Sequence, residues 1–143
     1  TLGLTEANVC IGDIFRLGTA LIQVSQARQP CWKLNLRFGK PDMSRRVQES
    51  ARTGWYYRVL ETGEVAPGAE LRLFDRPRPD WPLAHLLHHL YADPLNADAL
   101  AAIMALDVLS VSWREVAQRR LTTGQVEDWS RRMKTPAKQA RRQ

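Results

Sequence analysis

The sequence predicts an α+β protein in which short strands come first and a small helical unit follows. Two observations carry this. From Ile14 to Phe74 apolar residues tend to alternate with polar ones, and beyond Asp80 they recur every third and fourth position. Between the two regimes lies Arg76-Pro77-Arg78-Pro79, extended and rigid because each proline restrains the residue before it. A domain boundary is placed there. The expected organisation is a strand-rich part over residues 1–78, a three-helix domain over residues 79–124 and a basic tail over residues 125–143.

The first apolar segment, Val9-Cys10-Ile11, is ended by Gly12-Asp13. Ile14 to Leu17 and Ala20 to Gln26 then read as two strands joined by a tight Gly18-Thr19 turn. Residues 32–38 fit either a strand or a helix, since Trp32, Leu34, Leu36 and Phe38 alternate while Cys31, Leu34 and Phe38 keep helical spacing. Asp42 is placed as the N-cap of a helix from Met43 to about Thr53, with Met43, Val47 and Ala51 as its apolar stripe and Gly54 as its stop. Its arginines, Arg45 and Arg46 among them, form either a solvated face or an anion site. Trp55 to Leu60 is the strongest strand in the chain, and Glu70 to Phe74 follows it after a Pro67-Gly68 turn.

In the helical part, Asp80-Trp81-Pro82 starts a helix with Leu83, Leu86, Leu87, Leu90 and Tyr91 on one stripe, and Asp93-Pro94 ends it. Asn96 or Asp98 caps a second helix carrying Leu100, Ile103 and Met104. Ser112-Trp113-Arg114-Glu115 reads as the capping box of a third, with Val116, Ala117, Arg120 and Leu121 around Trp113 and Gly124 closing it. Each helix is apolar on one side only, so the three need one another.

Composition narrows the function classes. At 143 residues, 44% apolar and 25% charged, the chain is a soluble globular domain, or a partial domain with an appendage. No apolar run is long enough to span a bilayer, and no signal peptide is recognised. The chain opens at Thr1 in mid-pattern, so N-terminal sequence is expected to precede it. Cys10 and Cys31 make no disulfide framework and are read as free thiols of a reducing compartment, the cytoplasm. The net charge of +6 belongs to the tail: Arg131, Arg132, Lys134, Lys138, Arg141 and Arg142 stand without an acid, and the 15 other basic residues balance the 15 acids. A membrane partner is excluded, and nucleic acid is disfavoured.

Four groups are candidates for chemistry. In Gln23 to Leu34 the strand pattern breaks at Arg28-Gln29-Pro30 and Cys31 opens the next element, a thiol at a strand-to-helix junction. Arg28 and Lys33 would favour its thiolate, the form that attacks electrophiles and binds metals. The competing reading is a cysteine packed as a small hydrophobe. For Cys10, which has no basic neighbour closer than Arg16, buried packing is the favoured reading. His85 and His89, with His88 beside them, share the helix face away from the leucine stripe with the spacing of a metal pair, but no carboxylate or cysteine constellation is evident beside them, so a solvated face is preferred. The third helix could present Arg114, Arg119 and Arg120 to DNA, a reading diluted by Asp107 and Glu115.

Gly3 to Arg16, Ala20 to Leu34 and Thr53 to Val59 together resemble the second half of a MOSC domain. Ser112 to Glu115, Gln118 to Leu121 and Asp128 to Arg132 are similar to the 3-alpha domain that follows it in bacterial YiiM-type proteins. The resemblance implies a β-rich barrel-like domain, present here as its C-terminal half, that binds the pterin-based molybdenum cofactor and has no need of pyridoxal phosphate. Cys31 matches the cysteine that ligates molybdenum, so it is the expected catalytic and metal residue. Arg28 and Lys33 are the cofactor-binding candidates beside it, with ordinary surface charge as the competing reading. The implied activity is reduction of N-hydroxylated compounds, including hydroxylaminopurine base analogues, with electrons from a reductase partner. The alternatives are a non-catalytic module that carries cofactor or sulfur on Cys31, and nucleic-acid binding through the basic tail. The family's first half, including a His-Gly-Gly segment, has no counterpart before Thr1, so open sheet edges are expected.

Overall fold

The computed structural model describes residues 3–137. Ten elements follow in order. They are β1 (Ile14–Leu17), β2 (Ala20–Ala27), α1 (Lys33–Phe38), α2 (Met43–Glu49), β3 (Trp55–Glu61), β4 (Leu71–Asp75), α3 (Leu83–Tyr91), α4 (Ala97–Met104), α5 (Val111–Thr123) and α6 (Ser130–Met133). The four strands form one antiparallel sheet in the order β3-β2-β1-β4.

The β1–β2 hairpin is the local event that the sequence announces. Gly18 turns it at φ 59°, and a side chain there would collide with the carbonyl of Glu64. Register then pairs Phe15 with Ile22 and Leu17 with Ala20. The β2–β3 ladder slips between Val24 and Gln26, so Ser25 is extra. That slip lets the Ser25 carbonyl accept from Ser110 N–H at 2.9 Å while its hydroxyl donates to the Tyr56 carbonyl at 3.2 Å.

Strand and helix regions share one hydrophobic cluster. Val9, Ile11, Phe15, Val24 and Ala27 meet Leu83, Leu86, Leu87, Leu90, Ile103 and Trp113 in a single buried core. Residues 6–11 also hold the start of α3, because the Glu6 and Val9 carbonyls accept from the Ala84 and Leu83 amides at 2.7 and 2.8 Å. At the edges, Tyr56, Val59, Leu60, Leu73 and Phe74 of β3 and β4 are exposed. Among the described residues no helix is long and apolar enough to cross a membrane.

The structure decides several local expectations and corrects others. Residues 33–38 are helical, closed by Gly39 at φ 61°. The helix from Met43 stops at Glu49, not Thr53, because Ser50 Oγ takes the Arg52 amide and Ala51 turns left-handed at φ 54°. Asp42 sits at the N-cap position without capping, since its carboxylate accepts from Arg46 Nε at 2.7 Å. The Arg45 and Arg46 side chains lie beside Glu49 and Asp42 on an exposed face. Asn96 does cap α4, accepting from Ala99 N–H at 3.0 Å. The third helix starts at Val111 with Ser110 as its N-cap, so Ser112 is already inside the first turn.

Candidate cofactor site at the Cys31 loop

After β2 ends at Ala27, the Arg28 amide still donates to the Gly54 carbonyl at 2.8 Å, and Gln29, Pro30 and Cys31 cross to α1. The Cys31 carbonyl accepts from Leu34 N–H at 2.9 Å, so the thiol stands at the entry of the first turn, partly buried. The loop is held by a segment about a hundred residues further on. Trp32 N–H donates to the Arg132 carbonyl at 2.8 Å. The Arg132 guanidinium donates to the Pro30 carbonyl and, at 2.7 Å, to Gln48 Oε1. Asn35 Nδ2 and Ser44 Oγ both donate to the Met133 carbonyl, at 3.0 and 3.1 Å, and Asn35 Oδ1 accepts from the Ser44 amide at 2.8 Å. A thiol on a loop fixed from both sides is a preorganised ligand.

The other two expected site residues flank it in sequence. Arg28 and Lys33 are exposed, and among the described residues no hydrogen bond or ion pair engages the guanidinium of the first or the ammonium of the second. A soft sulfur donor with two uncommitted cations is a donor set that suits a thiophilic metal carried by an anionic cofactor. Cys10 is its opposite. Burial pushes its thiol up, Asp13 adds to that, Arg76 opposes and Asp80 adds a little, so Cys10 is a protonated core residue at neutral pH. Beneath it, Asp13 is fully buried and takes a bidentate grip from Arg76 at 2.9 and 2.8 Å.

Sequence reasoning missed Arg132, Asn35, Ser44 and Gln48. Ser44 and Gln48 are spaced as one helical stripe, but a polar stripe reads as solvent-facing, whereas here it is the buried one. Gln48 also lines a cavity of about 690 Å³ between α2, α3 and α6, with Arg45, Tyr91, Trp129, Met133 and Lys134 among the other walls. The basic tail therefore includes a structural strap. Lys138, Arg141 and Arg142 lie outside the described residues. Arg120, one of three arginines considered for DNA, is buried in an ion pair. Its guanidinium donates to both Glu127 carboxylate oxygens, at 2.9 and 2.7 Å, and to the Leu90 carbonyl at 2.8 Å.

A family model described as the MOSC domain matches residues 1–72, and one described as the YiiM-like, 3-alpha helix domain matches residues 81–124. The chain belongs to the MOSC family, with the helical domain of the YiiM type. It is 41% identical to Protein YiiM of Escherichia coli over 93% of this chain and 59% of that protein, and 48% identical to the uncharacterized protein YflK of Bacillus subtilis over 78% of this chain and 51% of that one. A protein of Gibberella moniliformis named Reductase is 36% identical over 85% of this chain and 22% of its own length. The crystal structure of YiiM from E. coli superposes with a TM-score of 0.88 over 93% of this chain and 66% of that chain, at 40% identity. That of YiiM from Geobacillus stearothermophilus gives 0.81 over 83% and 61%, at 44% identity. This MOSC chain thus spans little more than half the length of the E. coli and B. subtilis proteins.

Proposed function

We propose that the chain forms the thiol-bearing part of a molybdenum-cofactor reductase of N-hydroxylated compounds, hydroxylaminopurine base analogues among them, with Cys31 as the molybdenum ligand. The observation that carries the reading is the clamped, partly exposed Cys31, flanked in sequence by Arg28 and Lys33, two exposed cations that pair with no other described residue. MOSC membership supports the cofactor, and the relative named Reductase supports the reaction class. The pterin-based cofactor, when bound, supplies two-electron reduction that releases the N–OH oxygen as water.

The chain's own residues bind and orient. Cys31 Sγ presents a soft donor as its thiolate. Arg28 and Lys33 hold anionic groups of the cofactor. Arg132, through the Pro30 carbonyl, keeps the loop from swinging the sulfur away. The expected partners are a small N-hydroxylated substrate and a reductase that donates electrons in the cytoplasm.

Metal analysis tests this on a chimera in which this chain replaces the matching region of E. coli YiiM, expressed with intact cofactor synthesis. Near-stoichiometric molybdenum is expected, lost in Cys31→Ala. A chimera that folds without molybdenum overturns the proposal, and molybdenum without turnover of hydroxylaminopurine assigns Cys31 to a carrier module instead.

A further inference from the structure

The C-terminal end of α3 carries a second cluster of metal-binding side chains, independent of Cys31. One nitrogen each from His88 and His89 and one carboxylate oxygen of Asp93 lie within 4.8 Å of one another. His89 is not on a solvated face, since only 15% of its side chain is exposed. Its Nδ1 is buried without a hydrogen-bond partner among the described residues, and Asp93 Oδ2 stands 3.8 Å away.

When both rings are neutral, the hydrogen bonds set the state of that nitrogen. His85 Nδ1 lies 3.2 Å from the Asp80 carbonyl, which can only accept, so Nδ1 carries the proton. With the ring neutral, His85 Nε2 is an acceptor, and the contact with His89 Nε2 at 3.0 Å requires His89 Nε2 to donate. His89 Nδ1 is then a bare lone pair facing a carboxylate. Two acceptors face each other beyond hydrogen-bond distance, an arrangement that a cation between them would satisfy.

We propose that His88, His89 and Asp93 bind a divalent transition-metal ion, zinc foremost, which ties the end of α3 to the turn before α4. The surroundings are those of a metal site. A ligating histidine commonly donates its other N–H to an acceptor, as His89 does to His85, whose ring is fixed by stacking on Trp81 at 4.9 Å and 11°. The Asp93 carboxylate is oriented by Asn96 Nδ2 at 3.0 Å, and Asn96 is also the α4 N-cap. A helix C-terminus favours a cation, and α3 ends in the turn where His88 and His89 sit. Two imidazoles and one carboxylate select zinc over magnesium or calcium and leave a fourth position for water. Zinc draws its donors to about 2.0–2.2 Å, so the ligands must close inward. Asp93, 47% exposed, has room to do so.

The test is titration of the 143-residue chain with Zn²⁺ against a chromophoric chelator, in a Cys31→Ser background so that the Cys31 thiol contributes nothing. One equivalent is expected to bind and to raise the melting temperature. His89→Gln and Asp93→Ala should each weaken binding at least tenfold and abolish the thermal shift, and His85→Ala should weaken it less. Circular dichroism on each variant separates loss of the site from loss of the fold. The absence of saturable binding, or binding that His89→Gln and Asp93→Ala leave unchanged, overturns the proposal.

Discussion

Replacing Arg132 with alanine should loosen the Cys31 loop while leaving the sheet intact. The substitution removes the side-chain bonds to the Pro30 carbonyl and to Gln48 Oε1, both on buried residues, and leaves two acceptors without that donor. An orphaned buried acceptor costs about 1–3 kcal/mol. Because these contacts are only partly shielded, about 1–2 kcal/mol apiece is the fitting range, or about 2–4 kcal/mol for the loop. At about 1.4 kcal/mol per decade, local opening becomes about 30- to 1000-fold more frequent. The assay is amide hydrogen exchange at Trp32, whose N–H donates to the Arg132 carbonyl, with Val24 in β2, bonded at 2.8 Å to the Asp13 carbonyl, as the internal reference. Trp32 should lose protection by that factor while Val24 keeps its own, and Arg132→Lys should recover part of it. Unchanged protection at Trp32 in a folded Arg132→Ala protein would refute the clamp.

Acid should weaken the helical region through Glu127. Burial pushes its carboxyl up, but the Arg120 hydrogen bonds and charge, its own backbone amide and Trp129 Nε1 prevail and bring it from 4.5 down to about 2. A folded value below the unfolded one gives stability that is fully present above about pH 4.5 and is lost as pH falls toward 2. The linkage corresponds to about 3 kcal/mol, or about 2 kcal/mol after screening on the carboxylate's wet side. Melting temperatures from pH 6 to pH 2.5 should show this loss in the native chain, with a flatter profile in Glu127→Gln. The two thiols should separate cleanly under alkylation at pH 8. Intact mass should show one adduct, at Cys31, in the folded protein and two only after denaturation, because Cys10 is buried and protonated. Native labelling of both would count against the packing of Cys10.

What could be read from sequence was what is local. The Gly18 turn, the leucine stripe of α3 and the Asn96 cap each depend on neighbours within a few residues, and all three stand as expected. Among the described residues β3 and β4 are the outer strands of the sheet, with Val59 and Phe74 among their exposed side chains. What failed depended on distant partners. Ser44 and Gln48 are buried because Met133 and Arg132 come to meet them, and nothing within a helical turn announces that. Arg120 is buried because the Leu90 carbonyl and Glu127 receive its protons. Asp93 is the local exception: it reads as a helix stop, although it stands one turn beyond His89. The position of Cys31 at the junction between β2 and α1 was legible, and the clamp that fixes it was not.

That clamp joins regions that the family models divide. The matches to the MOSC and 3-alpha domains end at residues 72 and 124, yet the strap that holds Cys31 runs from Trp129 to Met133. Cutting the chain after Gly124 should therefore do more damage than Arg132→Ala. It removes Glu127 and leaves the Arg120 guanidinium, 1% exposed, with a single carbonyl as partner. Stranding one partner of a buried ion pair costs about 3–5 kcal/mol, comparable with the whole stability of a marginal domain. The truncated chain should melt well below the longer one and lose protection at Trp32. Substituting Arg120→Met in the truncated chain should restore part of the melting temperature without restoring Trp32, since it removes the stranded charge but not the missing strap. If truncation leaves both quantities unchanged, the helical region stands without its last residues, and the strap has no part in placing the thiol.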